Sequence, residues 1–215
     1  MINLSQFYYS DLYEILKDRI SQAQDEVFFV APFIKEYVLK KLLNNLKSTI
    51  KLRVITRWRL DEILSGVSDI EIFKLLKNHY QCTLQLHPHL HAKYYRIDQI
   101  CIFGSANLTQ KALIETPTSN LEILFQTRPQ DKIKEFERSL LNRTNDVTSD
   151  YYEYVKKLVE ELKENHQETT INLPGQVAEP TFDYSIDIPE LDFWIPKSRN
   201  PENLFELYQG NKSKL

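Results

Sequence analysis

The chain has 215 residues, 42% of them apolar, with 27 Lys+Arg against 30 Asp+Glu and four glycines, a size that fits one domain with an appendage. No window holds the run of about 18 apolar residues that a membrane span needs, which excludes an integral membrane protein, and glycines at positions 66, 104, 175 and 210 alone leave no room for a Walker loop or a dinucleotide fingerprint. Charge is uneven: residues 1–130 carry 16 basic and 13 acidic groups and residues 131–215 carry 11 and 17, so the mildly acidic total does not exclude a nucleic-acid partner for a locally basic cleft.

Residues 7–23 place Tyr8, Leu12, Ile15, Leu16 and Ile20 at helical spacing, with Ser10 as the expected N-cap. Asp25–Ile34 is a continuous apolar run ending near Pro32, the pattern of a strand buried on both faces. Val38, Leu39, Leu42, Leu43 and Leu46 repeat helically, Lys51–Thr56 reads as a strand, Ile70–Tyr80 as a helix and Cys82–Leu86 as a third strand. This alternation predicts an α/β sheet with helices on its faces and functional loops at the strand ends. His89–Tyr95 and Gln99–Phe103 follow as a hairpin reversing at Arg96-Ile97-Asp98, then a strand at Leu121–Gln126 and a helix at Lys132–Leu141.

The character changes after Asn142, where a domain boundary is placed. Residues 143–150 are polar, and Tyr151–Asn165 carries an apolar stripe at helical spacing. From His166 onward no period emerges; five of the nine prolines fall between Pro174 and Pro201, among isolated aromatics. That stretch is expected to be an irregular strap packed on the core or a partner-binding tail. The opening MINLSQFYYSDLYE lacks a basic start and an apolar stretch, so no secretory signal is visible and a cytoplasmic address is expected. Cys82 and Cys101 sit in apolar strand-like runs and are expected as free thiols.

The segment that carries chemistry is His91-Ala-Lys93-Tyr-Tyr-Arg-Ile-Asp98, followed by Gly104-Ser105-Ala-Asn107. On a strand, side chains two apart share a face, so His91 and Lys93 should project together, with Asp98 of opposite parity. Chain reversal returns Gly104, Ser105 and Asn107 to their level. Imidazole is a nucleophile or acid–base group near neutrality, and the ammonium, hydroxyl and amide are donors suited to non-bridging phosphate oxygens whose charge grows in a transition state. Phosphoryl transfer is the chemistry that fits. Glu122, opening the next strand, could accept the other ring N–H of His91 and fix its tautomer.

HAKYYRID followed by GSAN, with an acidic residue entering the next strand, resembles the H-x-K-x4-D signature of the phospholipase D superfamily. The resemblance covers residues 1 to about 142 and implies a mixed β-sheet flanked by helices. It further implies a metal-independent, cofactor-free displacement at phosphorus through a phosphohistidine, a second histidine protonating the leaving oxygen and then activating water. Carried onto this sequence, His91 is nucleophile or acid, Lys93 and Asn107 hold phosphate oxygens, Ser105 lines the site and Glu122 orients His91. Asp98 matches the motif letter, but its parity and turn position suit holding the hairpin better than touching substrate.

A second H-x-K is absent from the chain. A two-fold homodimer would supply it at the symmetry axis, as in the compact bacterial nucleases and restriction-enzyme domains that single-motif chains of this family resemble. The function implied is a DNA endonuclease, DNA ahead of RNA, in a restriction or phage-defence setting. Two alternatives stay open: a non-catalytic or partner-activated nucleic-acid-binding subunit docked to a helicase or translocase through residues 150–215, and a phospholipid phosphodiesterase. Arg57 and Arg59 around Trp58 are candidates for substrate phosphates and for stacking on a base. His87, His89 and His91 alternate as strand-borne zinc ligands would, but Lys93 on the same face opposes a dication, so His89 is read as lining the pocket and no metal is expected.

Overall fold

A computed structural model describes residues 5–79 and 81–167; the expected strap or partner-binding tail beyond them lies outside the described residues. In chain order the elements are β1 (Gln6–Tyr8), α1 (Leu12–Ser21), β2 (Glu26–Val30), α2 (Glu36–Leu43), β3 (Lys51–Thr56), α3 (Leu60–Leu64), α4 (Ile72–Lys77), β4 (Cys82–Leu86), β5 (Tyr94–Ile97), β6 (Ile100–Gly104), α5 (Gln110–Leu113), β7 (Leu124–Thr127), α6 (Asp131–Leu141), β8 (Asn145–Asp146) and α7 (Ser149–Gln167). The strands form one eight-stranded sheet in the order β1-β7-β6-β5-β2-β3-β4-β8.

This is the mixed α/β architecture expected from the sequence. β2, β3 and β4 run parallel, as strands joined by helical crossovers must. β5, β6 and β7 add antiparallel on the other side of β2. Central β2 is buried on both faces: Val27 and Phe29 join the large core under α1, α2 and α4, while Phe28 and Val30 join a second core closed by Leu140 of α6. That two-sided burial is why Val27–Val30 reads as an unbroken apolar run.

Several boundaries differ from the sequence reading. The first helix does not start at residue 7; Gln6–Tyr8 instead pair antiparallel with Leu124–Gln126 at the sheet edge. Ser10 is not the N-cap. Asp11 occupies that position at φ 53, its N–H donating to Glu115 Oε1 at 2.8 Å. The helix expected over Ile70–Tyr80 spans Ile72–Lys77, and the strand expected from Leu121 begins at Leu124. The expected strand His89–Tyr95 begins at Tyr94. Its first five residues belong instead to the connection that crosses from β4, over the ends of β3 and β2, to β5.

The break expected after Asn142 does not divide the structure. β8 pairs with β4 through Gln85 and Leu86, and α7 packs Tyr152, Val155 and Val159 against Ile63 and Ile70, so both belong to a compact unit covering Met1–Thr170. Cys82 and Cys101 are unpaired, and burial pushes the Cys82 thiol up to about 12. Among the described residues no helix is long and apolar enough to cross a membrane.

Candidate active site

The connection between β4 and β5 is built to present His91. The His87 N–H donates to the Thr56 carbonyl at 3.0 Å, and the Leu90 N–H returns to the His87 carbonyl at 3.1 Å, making a turn through Pro88 and His89. Leu90 is 3% exposed and anchors this turn in the second core. His91 follows on the surface, and Lys93 is half-buried. Although neither lies within β5, their side chains meet: Lys93 Nζ is 3.4 Å from His91 Nδ1 and donates to the His91 carbonyl at 3.0 Å. A charged lysine can only donate, so this contact suits a ring whose Nδ1 carries no proton.

Lys93 is held below the ordinary lysine value, first by burial of its ammonium and then by the positive charge of Arg57, with Glu122 opposing both. Glu122 is buried at 9% exposure and acts on Lys93 through its charge. Its Oε1 accepts from Asn120 Nδ2 at 3.0 Å, and among the described residues it makes no hydrogen bond to His91. The expected Glu122–His91 pair is therefore replaced by a Glu122–Lys93 charge interaction. Asn120 was not read from the sequence; the signal was its spacing of two from Glu122 on extended chain, which puts both side chains on one face.

The Gly104-Ser105-Ala-Asn107 segment is fixed by close backbone approach. A Cβ at Gly104 would lie 2.0 Å from the Ile123 carbonyl oxygen and 3.1 Å from Leu124 Cα, so only glycine fits where β6 meets the entry to β7. Ser105 clamps that entry: its N–H donates to the Ile123 carbonyl at 3.1 Å and its Oγ accepts from the Ile123 N–H at 3.0 Å. The structure thus gives Ser105 a backbone partner. The buried Tyr95 hydroxyl donates to the Ala106 carbonyl at 2.5 Å, pinning the turn that carries Asn107. Among the described residues Asn107 Oδ1 is buried without a hydrogen-bond partner, and Asn107 and Asn120 line one cavity of about 470 Å³ together with Lys35 and Lys111. A buried amide oxygen left unmatched costs stability unless something completes it.

Asp98 stands at the opposite end of β5, at φ 49 in the two-residue turn to β6. Its carboxylate accepts from the backbone N–H groups of Gln24, Asp25 and Glu26 at 2.8, 2.9 and 3.0 Å. Burial alone would raise its carboxyl, but these three donors and Arg96 hold it below the ordinary value. It is not brought to the His91–Lys93 pair; it ties the hairpin to the start of β2.

Two of the expected substrate contacts, Arg57 and Trp58, are otherwise engaged. Arg57 forks onto Glu62, with Nε 3.0 Å from Oε2 and Nη2 on Oε1, and its Nη1 donates to the Leu90 carbonyl at 2.8 Å. It braces the turn before His91 instead of standing open to a phosphate. Trp58 is partly buried and packs on Tyr152 at a centroid distance of 6.5 Å, not available as an open platform for a base. Arg59 is exposed, with Asp61 at 3.2 Å. His89 is exposed on the turn, its N–H 3.2 Å from His87 Nδ1. Among the described residues no three His, Cys, Asp or Glu side chains come together as a set able to hold a metal ion.

Residues 16–143 match the family model described as cardiolipin synthase, PLD-like domain. The chain belongs to the phospholipase D superfamily. No curated protein matches it in sequence. In fold, this phospholipase D-like chain is similar to NucT from Helicobacter pylori, with 18% identity and a TM-score of 0.54 over 66% of this chain and 98% of that one. It is equally similar to Nuc, a phospholipase D family member from Salmonella typhimurium, with 18% identity and a TM-score of 0.52 over 67% of this chain and 98% of that one. Both compared chains are spanned almost end to end by a single such domain.

Proposed function

We propose that this phospholipase D-like protein is a phosphodiesterase in which His91 is the nucleophile, completed by His91 of a second copy, and that its substrate is nucleic acid, DNA ahead of RNA. The observation that carries this reading is an exposed imidazole with an ammonium 3.4 Å from its ring, in a chain with no second H-x-K. In the first step a ring nitrogen of His91 bonds to phosphorus and the P–O bond to the leaving group breaks, that oxygen taking a proton from His91 of the second copy. In the second, water gives its proton back to that histidine, its oxygen bonds to phosphorus and the P–N bond breaks. Lys93 and the Asn107 amide would donate to the non-bridging oxygens, where added charge in the transition state strengthens each bond.

The near-complete overlap with two compact chains of the fold supports a one-domain subunit, a size suited to a nuclease. A restriction or phage-defence setting, a cytoplasmic address and a helicase or translocase docked through residues 150–215 belong to the same proposal. The test is strand cleavage of single- and double-stranded DNA and RNA in excess EDTA by wild type and by His91→Ala. Cleavage by wild type alone supports the reading; cleavage that requires added magnesium refutes it. If two copies share one site, titrating His91→Ala into wild type lowers the activity per wild-type chain in proportion to the wild-type fraction.

A further inference from the structure

Beside the His91–Lys93 pair, a groove of about 400 Å³ opens between the start of α6 and the β5–β6 hairpin, and its lining includes both Lys93 and Lys132. Its walls are Phe103, Ile133 and Phe136, and the two rings stay 37% and 36% exposed. Phe136 meets the buried Tyr94 edge-on at 5.5 Å, which holds its ring in place. Phe103 is in register with Phe125 of β7, at 5.6 Å between rings, and Phe125 with Phe7 of β1, which is 59% exposed. The helix that covers the rest of this sheet face thus stops short of an aromatic row running from the site to the sheet edge.

We propose that this groove seats an unpaired nucleobase adjacent to the scissile phosphate, so that the protein takes its nucleic acid as a single strand. The inference rests on the nucleic-acid reading above and deepens it. Aromatic rings sharing one groove with two lysines match the alternation of base and phosphate along a strand, because every base has a π-face while each linkage carries a negative charge. A duplex cannot use the groove: its bases are stacked on one another, and only its phosphates would reach the lysines. Lys132 is free to take such a phosphate, since its pair with Glu135 at 2.7 Å lies on a side chain 88% exposed, where ion pairs contribute little. An acyl chain is less well matched, the groove being open, walled mostly by rings and lined by two lysines. With Trp58 packed on Tyr152, Phe103 and Phe136 supply the exposed rings beside the site.

The test measures fluorescence anisotropy of labelled oligonucleotides with the full chain carrying His91→Ala, which binds without cutting. In that background, Phe136→Ala and Phe103→Leu, the second keeping apolar volume in the wall, should each weaken single-strand binding by about fivefold or more. Duplex affinity should stay unchanged. An abasic residue beside the scissile position should reproduce the loss without any substitution in the groove. Equal weakening for single strand and duplex, or no weakening, overturns the base site while leaving the nucleic-acid reading intact. Failure of the His91→Ala chain to bind either nucleic acid overturns both, and Phe103-dependent capture of phosphatidylglycerol vesicles in place of oligonucleotides reassigns the groove to a lipid.

Discussion

Replacing Gly104 by alanine tests how the motif segment is held. The new Cβ would sit 2.0 Å from the Ile123 carbonyl oxygen and 2.9 Å from its carbon, both backbone atoms with no side chain to swing aside. An ordinary carbon–oxygen contact is about 3.3 Å, so β6 and the entry to β7 must part by about 1.3 Å. That separation breaks the two Ser105–Ile123 hydrogen bonds at 3.1 and 3.0 Å, about 1 kcal/mol each, and adds overpacking strain of about 1–3 kcal/mol. Urea unfolding should therefore show a loss of about 3–5 kcal/mol. Cleavage per folded molecule should fall as well, by about 100-fold, because Glu122 is bonded directly to the displaced Ile123 and misplacements of this size disrupt catalytic geometry. An unfolding midpoint within error of wild type, together with full cleavage, would refute the argument that Gly104 is required by close approach.

The remaining expectations are narrower. Because burial and Arg57 hold the Lys93 ammonium below the ordinary 10.5, the alkaline limb of the pH–rate profile should begin below that value, and Lys93→Arg should push the limb out of range whatever its activity. Asp98→Ala strands three backbone N–H groups and should cost about 2–4 kcal/mol at pH 7 by denaturant titration. The Asp98 carboxyl is depressed in the fold, so its stabilisation is present above the unfolded value of 3.8 and lost as pH falls through the folded one; Asp98→Asn should flatten that part of the acid-unfolding curve. Arg57→Lys cannot reproduce a fork to Glu62 plus a bond to Leu90; steady-state cleavage should show a lower kcat at nearly constant KM, whereas a substrate-binding arginine would show the reverse.

How much the sequence disclosed depended on how local each cause was. Lys51–Thr56 and Cys82–Leu86 are strands over the ranges expected, because apolar side chains at every second position, Leu52 and Val54 in one and Cys82, Leu84 and Leu86 in the other, are written in the residues themselves. Three-residue β1, five-residue α3 and two-residue β8 have no period to detect and exist through their partners. His91 and Lys93, expected to share a face of one strand, instead come within 3.4 Å of each other on the crossing connection before it. Arg57 and Trp58 looked like ligands for phosphate and base because an arginine–tryptophan pair at a strand end is surface chemistry. The residues that engage them are Glu62, five positions on, and Tyr152 on a distant helix. The shift of Glu122 from imidazole to ammonium likewise follows from a fold in which its side chain is bonded by Asn120.

The two rims of the sheet bear on how copies of this chain can associate. Its outermost strands, β1 with three residues and β8 with two, leave only a few unmatched backbone groups on either side. Among the described residues the outermost strands themselves thus offer little edge to prolong the sheet, the route by which long flat rims template fibres. For the homodimer proposed above, contact through loop and side-chain surfaces, among them the one that displays His91, is the mode that such short rims favour.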